Sequence, residues 1–231
     1  MTMSDSVIVA RNLQKIYDET AVPVHALRGL NLEVKKGEFT AIVGPSGSGK
    51  STLLNIIGGL DNPTSGDVIV DGVDIQQLRS NELIEFRKNK IGFVFQAYNL
   101  VPVLTAKENI ELIMLLQGVS KKKRDDRTAF LLDAVGLEGR GHNRPSELSG
   151  GQQQRVAVAR ALASKPAFIL ADEPTANLDS TSTSNLLDIM ERLNREEHIT
   201  FVFSTHDQRV IDRARRVVTI DDGIVVSDET R

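Results

Sequence analysis

The run Gly44-Pro45-Ser46-Gly47-Ser48-Gly49-Lys50-Ser51-Thr52 satisfies the pattern G-x-x-x-x-G-K-[S/T] at every position. Residue types in that order suit a polyphosphate. Glycines turn the backbone tightly at positive φ and bring successive N–H groups to the β- and γ-phosphates of a nucleotide, while the start of the following helix adds partial positive charge. Lys50 supplies a full charge, and Ser51 a hydroxyl for Mg2+. The whole run, Gly44 through Thr52, is therefore a candidate ATP-binding loop. Farther along, the apolar stretch Phe168-Ile169-Leu170-Ala171 ends in two acids, Asp172 and Glu173. A phosphate-binding loop needs a metal carboxylate of that kind: Asp172 can hold Mg2+ through water, and Glu173 can polarise an attacking water as a base. An apolar strand ending in acids says little alone; beside the loop it completes a phosphoryl-transfer centre.

Those groups must be held by strands and helices, and the patterning supplies both. Alternation or short β-branched runs predict strands at Val7–Leu13, Leu30–Val34, Phe39–Val43, Val68–Val70, Ile91–Phe95, Phe168–Ala171, Thr200–Ser204, Val217–Ile220 and Gly223–Val226. Helical periodicity predicts helices at Lys50–Ile57, Ala106–Gln117, Arg124–Val135, Gly150–Ala163, Thr181–Arg195 and Gln208–Ala214. Strands alternating with helices call for an α/β core with a mostly parallel sheet. Between about Ala97 and Lys165 almost no strand signal appears, which reads as a helical subdomain, residues 97–165, inserted into a core made of 1–96 and 166–231. Short hairpins near the start and around Gly66–Ile75 suggest an additional antiparallel sheet. The run Lys121–Arg124 reads as a solvated helix entry after Ser120, because Asp125 and Asp126 follow at once.

Composition narrows the partners. With 40% hydrophobic and 26% charged residues the 231-residue chain can bury a sizeable core, and a formal net charge of −3 gives no electrostatic reason for direct nucleic-acid binding. Cysteine is absent, so disulfides and thiolate metal sites are excluded and a reducing compartment is allowed. No apolar window approaches the length that spans a bilayer; the greasiest, Ile110–Leu116, is broken by Glu111. The polar start Met1–Ser6 lacks the features of a secretory signal. A cytoplasmic protein is expected, reaching a membrane only through a partner.

The segment Leu148-Ser149-Gly150-Gly151-Gln152, followed by Gln153-Gln154-Arg155-Val156-Ala157, resembles the signature motif of the ATP-binding-cassette (ABC) ATPases. The resemblance covers essentially the whole chain, with the other family elements in order. It implies a single cassette with a P-loop NTPase (RecA-like) core, an antiparallel β subdomain and a helical signature subdomain, working with ATP and Mg2+. It also implies roles residue by residue: Tyr17 stacks on adenine, Gln96 follows a core strand and reaches the metal or attacking water, Asn177-Leu178-Asp179 forms the D-loop, and His206 bridges γ-phosphate and water. Lys50, Gln96, Glu173 and His206 are the catalytic set so implied, and Ser51, Gln96 and Asp172 the metal set. His25, His142 and His198 read as surface or structural residues.

Two of these elements have a physical reading of their own. Ser149 is a good N-cap, and Gly150 and Gly151 leave bare N–H groups at a helix start, so Ser149–Gln152 is a second anion-binding terminus in one chain. In the family the two termini meet only across a head-to-tail homodimer that sandwiches two nucleotides. Asp179 is expected to cap a helix as well as to report across that dimer. One departure is visible: Ala176 stands where related sequences often have glycine, which puts a positive-φ backbone there in doubt.

Gly58-Gly59-Leu60-Asp61, Phe95–Leu100 and Asp172–Asp179 resemble the branch of bacterial ATPases that serves macrolide export, lipoprotein release and cell-division control. That branch implies a membrane permease contacted near Gln96 and the helical subdomain, driven by transmitted force and here expected to be a separate chain. The ATPase would then sit peripherally on the inner face of the cell membrane. Drug, peptide, lipoprotein and cell-wall-hydrolase control all remain open as the task. A non-transport ATPase acting on nucleic acid or ribosomes is a rival, disfavoured because the stretch from Lys50 to Ser149 has no room for a long coiled coil or zinc modules and the chain carries one cassette. A catalytically dead binding module is disfavoured by the intact Lys50, Asp172, Glu173 and His206.

Overall fold

The computed structural model describes residues 5–18 and 22–231, and two β-sheets organise them. Part of the polar start Met1–Ser6 lies outside the described residues. In chain order the elements are β1 (Ser6–Tyr17), β2 (Val24–Lys35), β3 (Phe39–Val43), α1 (Lys50–Ile57), β4 (Ser65–Val70), β5 (Val73–Asp74), α2 (Ser80–Lys90), β6 (Ile91–Val94), α3 (Ala106–Leu116), α4 (Lys121–Ala134), α5 (Gly150–Ala163), β7 (Phe168–Asp172), α6 (Ser180–Glu197), β8 (Thr200–Ser204), α7 (Gln208–Arg213), β9 (Arg216–Asp221) and β10 (Ile224–Thr230). The first sheet, ordered β2-β1-β4-β5, is antiparallel throughout. The second runs β10-β9-β3-β8-β7-β6, with β9, β3, β8, β7 and β6 parallel and β10 alone reversed.

Burial explains why the strands differ in composition. β3, β7 and β8 lie inside the parallel sheet with both faces covered and read as nearly unbroken apolar runs, whereas β2 alternates buried and exposed residues as a one-sided strand does. The two faces of the parallel sheet feed two separate cores. Ile169, Ala171, Phe201 and Phe203 pack with α3, α5 and α6, while Phe168, Leu170 and Val202 point the other way and pack with α1 and the antiparallel sheet. Helix α1 is thus wedged between the two sheets, and that wedge holds the loop preceding it.

Element types follow the patterning closely, and the differences have local causes. Helix α2 escapes a periodicity search because among its apolar side chains it half-buries only Leu83 and Phe86 and has no fully buried residue; it is started instead by Glu82, which folds back to accept from the Arg79 N–H at 2.9 Å and pairs with the Arg79 guanidinium at 2.6 Å. Helix α4 begins at Lys121 rather than Arg124, and its basic first turn is held by Asp125, which pairs with Lys121 at 2.8 Å and Lys107 at 2.5 Å. Those ammonium groups hold the Asp125 carboxyl down at about 2. β1 and β2 run several residues beyond the apolar segments because each carries polar residues on its solvated face.

Phe39, Phe201 and Phe203 form an aromatic cluster beneath the parallel sheet, with the Phe39 and Phe203 ring centroids 4.6 Å apart. Phe203→Ala should lower the unfolding free energy by about 3–5 kcal/mol, as deletion of a fully buried ring does. Urea denaturation measures this, and a loss under about 1 kcal/mol would contradict the packing described.

Candidate functional site

Because β3, β6, β7 and β8 are parallel, their C-terminal ends reach the same edge of the sheet, where α/β folds collect their ligands. Each of the four delivers candidate residues there. β3 leads into the Gly44–Gly49 loop and α1, β6 leads to Gln96, β7 ends in Asp172 with Glu173 next, and β8 leads through Thr205 to His206.

The loop after β3 carries an exposed charge demand. Helix α1 starts on Gly49 at φ 101° with no side-chain cap, so its first N–H groups are free to meet an anion. Only glycine fits there: a Cβ would stand 2.4 Å from the Ala26 carbonyl oxygen. Lys50 is 9% exposed, and its Nζ bends back to donate to the carbonyls of Gly44 and Pro45, both at 2.9 Å. Among the described residues no carboxylate pairs with it, so its charge remains available at the mouth of the loop. Ser48 is buried, and its hydroxyl has no partner among the described residues.

Across from the loop, the Ser51 hydroxyl donates to Asp172 Oδ1 at 3.1 Å. No cluster of three or more His, Asp or Glu side chains able to hold a metal exists among the described residues. A hydroxyl and one carboxylate suit Mg2+, which keeps water and takes phosphate oxygens for its other positions. Glu173 sits at φ 46°, a left-handed conformation that costs a non-glycine residue about 1–2 kcal/mol. Its N–H donates to the Ser204 carbonyl at 2.8 Å, and the sharp bend turns its carboxylate toward the β8 loop. There Oε1 lies 2.7 Å from His206 Nδ1 and Oε2 3.3 Å from the Thr205 hydroxyl.

Tyr17, Ala26, Gln96, Glu173, Ala176, His206 and the Gly44–Thr52 run except Ser48 line one cleft of about 710 Å3. The Tyr17 hydroxyl bonds Asp61 Oδ2 at 2.8 Å, and the Lys15 ammonium lies 4.7 Å from its ring centroid while pairing with Asp61 at 2.7 Å. Burial and the Asp61 contact raise the Tyr17 phenol above its ordinary value, against a hydrogen bond with Thr52. For Asp61 burial acts upward, but the hydrogen bonds from Lys15, Tyr17 and the Asn62 N–H together hold its carboxyl below the usual range.

The remaining candidates lie elsewhere. Ser149 caps α5 by accepting from the Gln152 N–H at 3.3 Å, and Gln152 Oε1 accepts from the Ser149 N–H at 2.9 Å. A Cβ on Gly151 would stand 2.6 Å from the Ser182 hydroxyl, so the start of α5 packs directly on the start of α6. Asp179 caps α6, accepting from the Ser182 N–H at 2.9 Å and its hydroxyl at 2.6 Å, which lowers its carboxyl pKa. None of Ser149–Gln152 or Asp179 lines the cleft, and neither do His25, His142 or His198. Ala176 has no positive φ, so alanine is unstrained there.

Three residues escape sequence reasoning. Asp207 accepts from the Thr175 hydroxyl at 2.8 Å and joins the loops after β7 and β8; its carboxyl is held low by Arg209 first, then by Thr175, against burial. Its place directly after His206 was the available signal. Lys15 and Asp61 come together over a large sequence separation, and no local pattern links them.

The family model described as "ABC transporter" matches residues 27–176. The chain is 46% identical to the macrolide export ATP-binding/permease protein MacB of Mannheimia succiniciproducens over 96% of this chain and 34% of that one. It spans about a third of that relative. It is 41% identical to the lipoprotein-releasing system ATP-binding protein LolD of Legionella pneumophila, over 98% of this chain and 100% of that one. Its structure is similar to the dimeric post-hydrolysis state of the ATP-binding cassette MJ0796 bound to ADP and Pi, of Methanocaldococcus jannaschii, with a TM-score of 0.88, 44% identity and 96% and 98% of the two chains covered.

Lys50→Ala should weaken ATP binding by at least about tenfold in isothermal titration calorimetry, because the full charge facing the phosphates is lost. Unchanged affinity would remove the Gly44–Thr52 loop from the site.

Proposed function

We propose, since the chain belongs to the ABC transporter family and is an ATPase, that two copies close head to tail around two Mg-ATP and thereby drive an integral membrane partner. One observation carries this reading. The chain has two helix starts suited to phosphate, at α1 and α5, and only the first lines the nucleotide cleft, so the second is available to complete the cleft of another copy. The similar cassette MJ0796 is dimeric with ADP and Pi bound, which supports a working pair of copies.

Within a cleft, the Gly44–Gly49 backbone and the α1 start bind the phosphates, Lys50 offsets their charge, and Tyr17 offers a flat face to adenine. Ser51 and Asp172 would hold Mg2+, with Gln96 reaching toward it; the ion supplies charge neutralisation on the transferring phosphoryl group. Glu173 orients the attacking water and takes its proton, and His206, bonded to the same carboxylate, steadies it. From the partner, Ser149, Gly150, Gly151 and Gln152 face the γ-phosphate and Asp179 senses it. Closure can do work only if ATP binds the closed pair more tightly than the open one, so the contacts made from Ser149–Gly151 must be absent when the pair is open.

The membrane partner enters through the relatives. MacB is an ATP-binding/permease protein and LolD the ATP-binding protein of a lipoprotein-releasing system, whereas no helix among the described residues is long and apolar enough to cross a membrane. A permease met near Gln96 and the helices of residues 97–165 suits a chain similar to both. The ATPase then works from the inner face of the cell membrane and transmits force for efflux or for extraction of a lipoprotein or peptide.

Glu173→Gln should bind ATP yet hydrolyse it at least about a hundredfold more slowly, since the base is lost while the geometry stays. With ATP and Mg2+ this variant should elute as a dimer on gel filtration. A monomer under those conditions would count against the sandwich.

A further inference from the structure

Gln154, on α5, has no part in the chemistry above, yet its side chain is fully buried, at 0% exposure. Its amide nitrogen donates to the Pro174 carbonyl at 2.7 Å and to the Phe95 carbonyl at 3.2 Å. The amide oxygen finds no donor among the described residues. A buried acceptor without a partner costs free energy that methionine or leucine of similar volume would avoid. Space-filling therefore does not account for glutamine here; the two carbonyls do. Phe95 directly precedes Gln96, and Pro174 directly follows Glu173. Gln154 itself lies on the helix that opens with the Ser149–Gly151 turn. One amide thus joins three segments: the loop aiming Gln96, the loop aiming Glu173, and the helix reaching for the partner's nucleotide. Asn177 adds a parallel link, its Nδ2 donating to the Gln96 carbonyl at 3.1 Å.

We propose that Gln154 is a positioning residue for ATP hydrolysis, tying the helix that carries the Ser149–Gly151 turn to the loops that aim Gln96 and Glu173. Displacement of that turn, when it seats on the partner's nucleotide, is thereby carried to the loops of the chain's own cleft. The inference rests on the two-nucleotide dimer proposed above. If the Glu173→Gln chain fails to dimerise, that reading falls; the kinetics of Gln154 variants address only the present one.

The test uses the full chain carrying Gln154→Met and, separately, Gln154→Leu, with ATP turnover, ATP-analogue affinity and thermal melting measured beside the parent. In both variants kcat should fall by at least about tenfold, because small displacements of reacting groups are costly, while KM and analogue affinity stay within about twofold. The melting temperature should fall by no more than about 5 °C, because loss of the orphan acceptor offsets part of the cost of leaving the Pro174 and Phe95 carbonyls without their donor. A kcat within about twofold of the parent in both variants overturns the proposal. So does a larger fall in melting temperature with activity tracking the folded fraction, or failure of both variants to fold, because either would make Gln154 a structural brace alone.

Discussion

An uncapped helix start is a standing demand for negative charge, and the architecture is arranged around the one at α1. Its first N–H groups cannot be satisfied from within the helix, and Gly49 offers no side chain to satisfy them. The loop before it is folded over Lys50, whose ammonium is held by backbone carbonyls and no carboxylate among the described residues. Two unneutralised positive features beside each other would be costly in a protein without a ligand of opposite sign. That arrangement suits a nucleoside triphosphate, the ligand proposed for this cleft.

The wedge between the sheets keeps that demand in position. Helix α1 is gripped by the antiparallel sheet on one side and by Phe168, Leu170 and Val202 on the other, so the loop is anchored at both ends by packed core. Parallel pairing of β3, β8, β7 and β6 then sets the spacing of everything that faces it. Because the strands are hydrogen-bonded in fixed register, Ser51 and Asp172 meet at 3.1 Å although they are far apart in the chain. Glu173 departs from comfortable backbone geometry at the end of the same register. Its left-handed φ is stabilised by the bond to the Ser204 carbonyl, and a proposed base that costs folding energy to position is a common place for strain to appear.

The polar links among the loops have a shared form. Gln154, Asn177 and Arg160 all donate to backbone carbonyls of the segment after β6, at Phe95, Gln96, Tyr98 and Asn99, and Asp207 joins the loops after β7 and β8. Side chains that bind backbone constrain where a loop runs without depending on its side-chain identities. Arg160 is buried enough that desolvation lowers its pKa, yet the carbonyls retain it. The segment after β6 is therefore tied to α5 and to the loop before α6 at several points, which is suited to passing movement between the α5 start and the cleft.

Much of this was legible from residues alone where the physical cause is local. Glycine spacing, a lysine after it, an apolar strand ending in two acids, and a serine cap before paired glycines each act within one turn or one strand, so their order along the chain specifies phosphate chemistry and an α/β frame. The buried strands were equally plain, because residues covered on both faces must be apolar. Contacts between distant segments leave no such trace. That Asp61 holds Tyr17, that Gln154 spans two loops, that Gly151 must be small because Ser182 lies against it, and that Glu173 is bent to reach His206 depend on packing of segments separated by many residues. Helix α2 was hidden for the opposite reason: among its apolar side chains it only half-buries Leu83 and Phe86 and it has no fully buried residue, so its periodic signal is weak. Sequence determined which chemical groups are present and on which kind of element; only the folded sheets decided which of them meet, since register and layer packing, unlike helix caps and turns, are set by the whole chain at once.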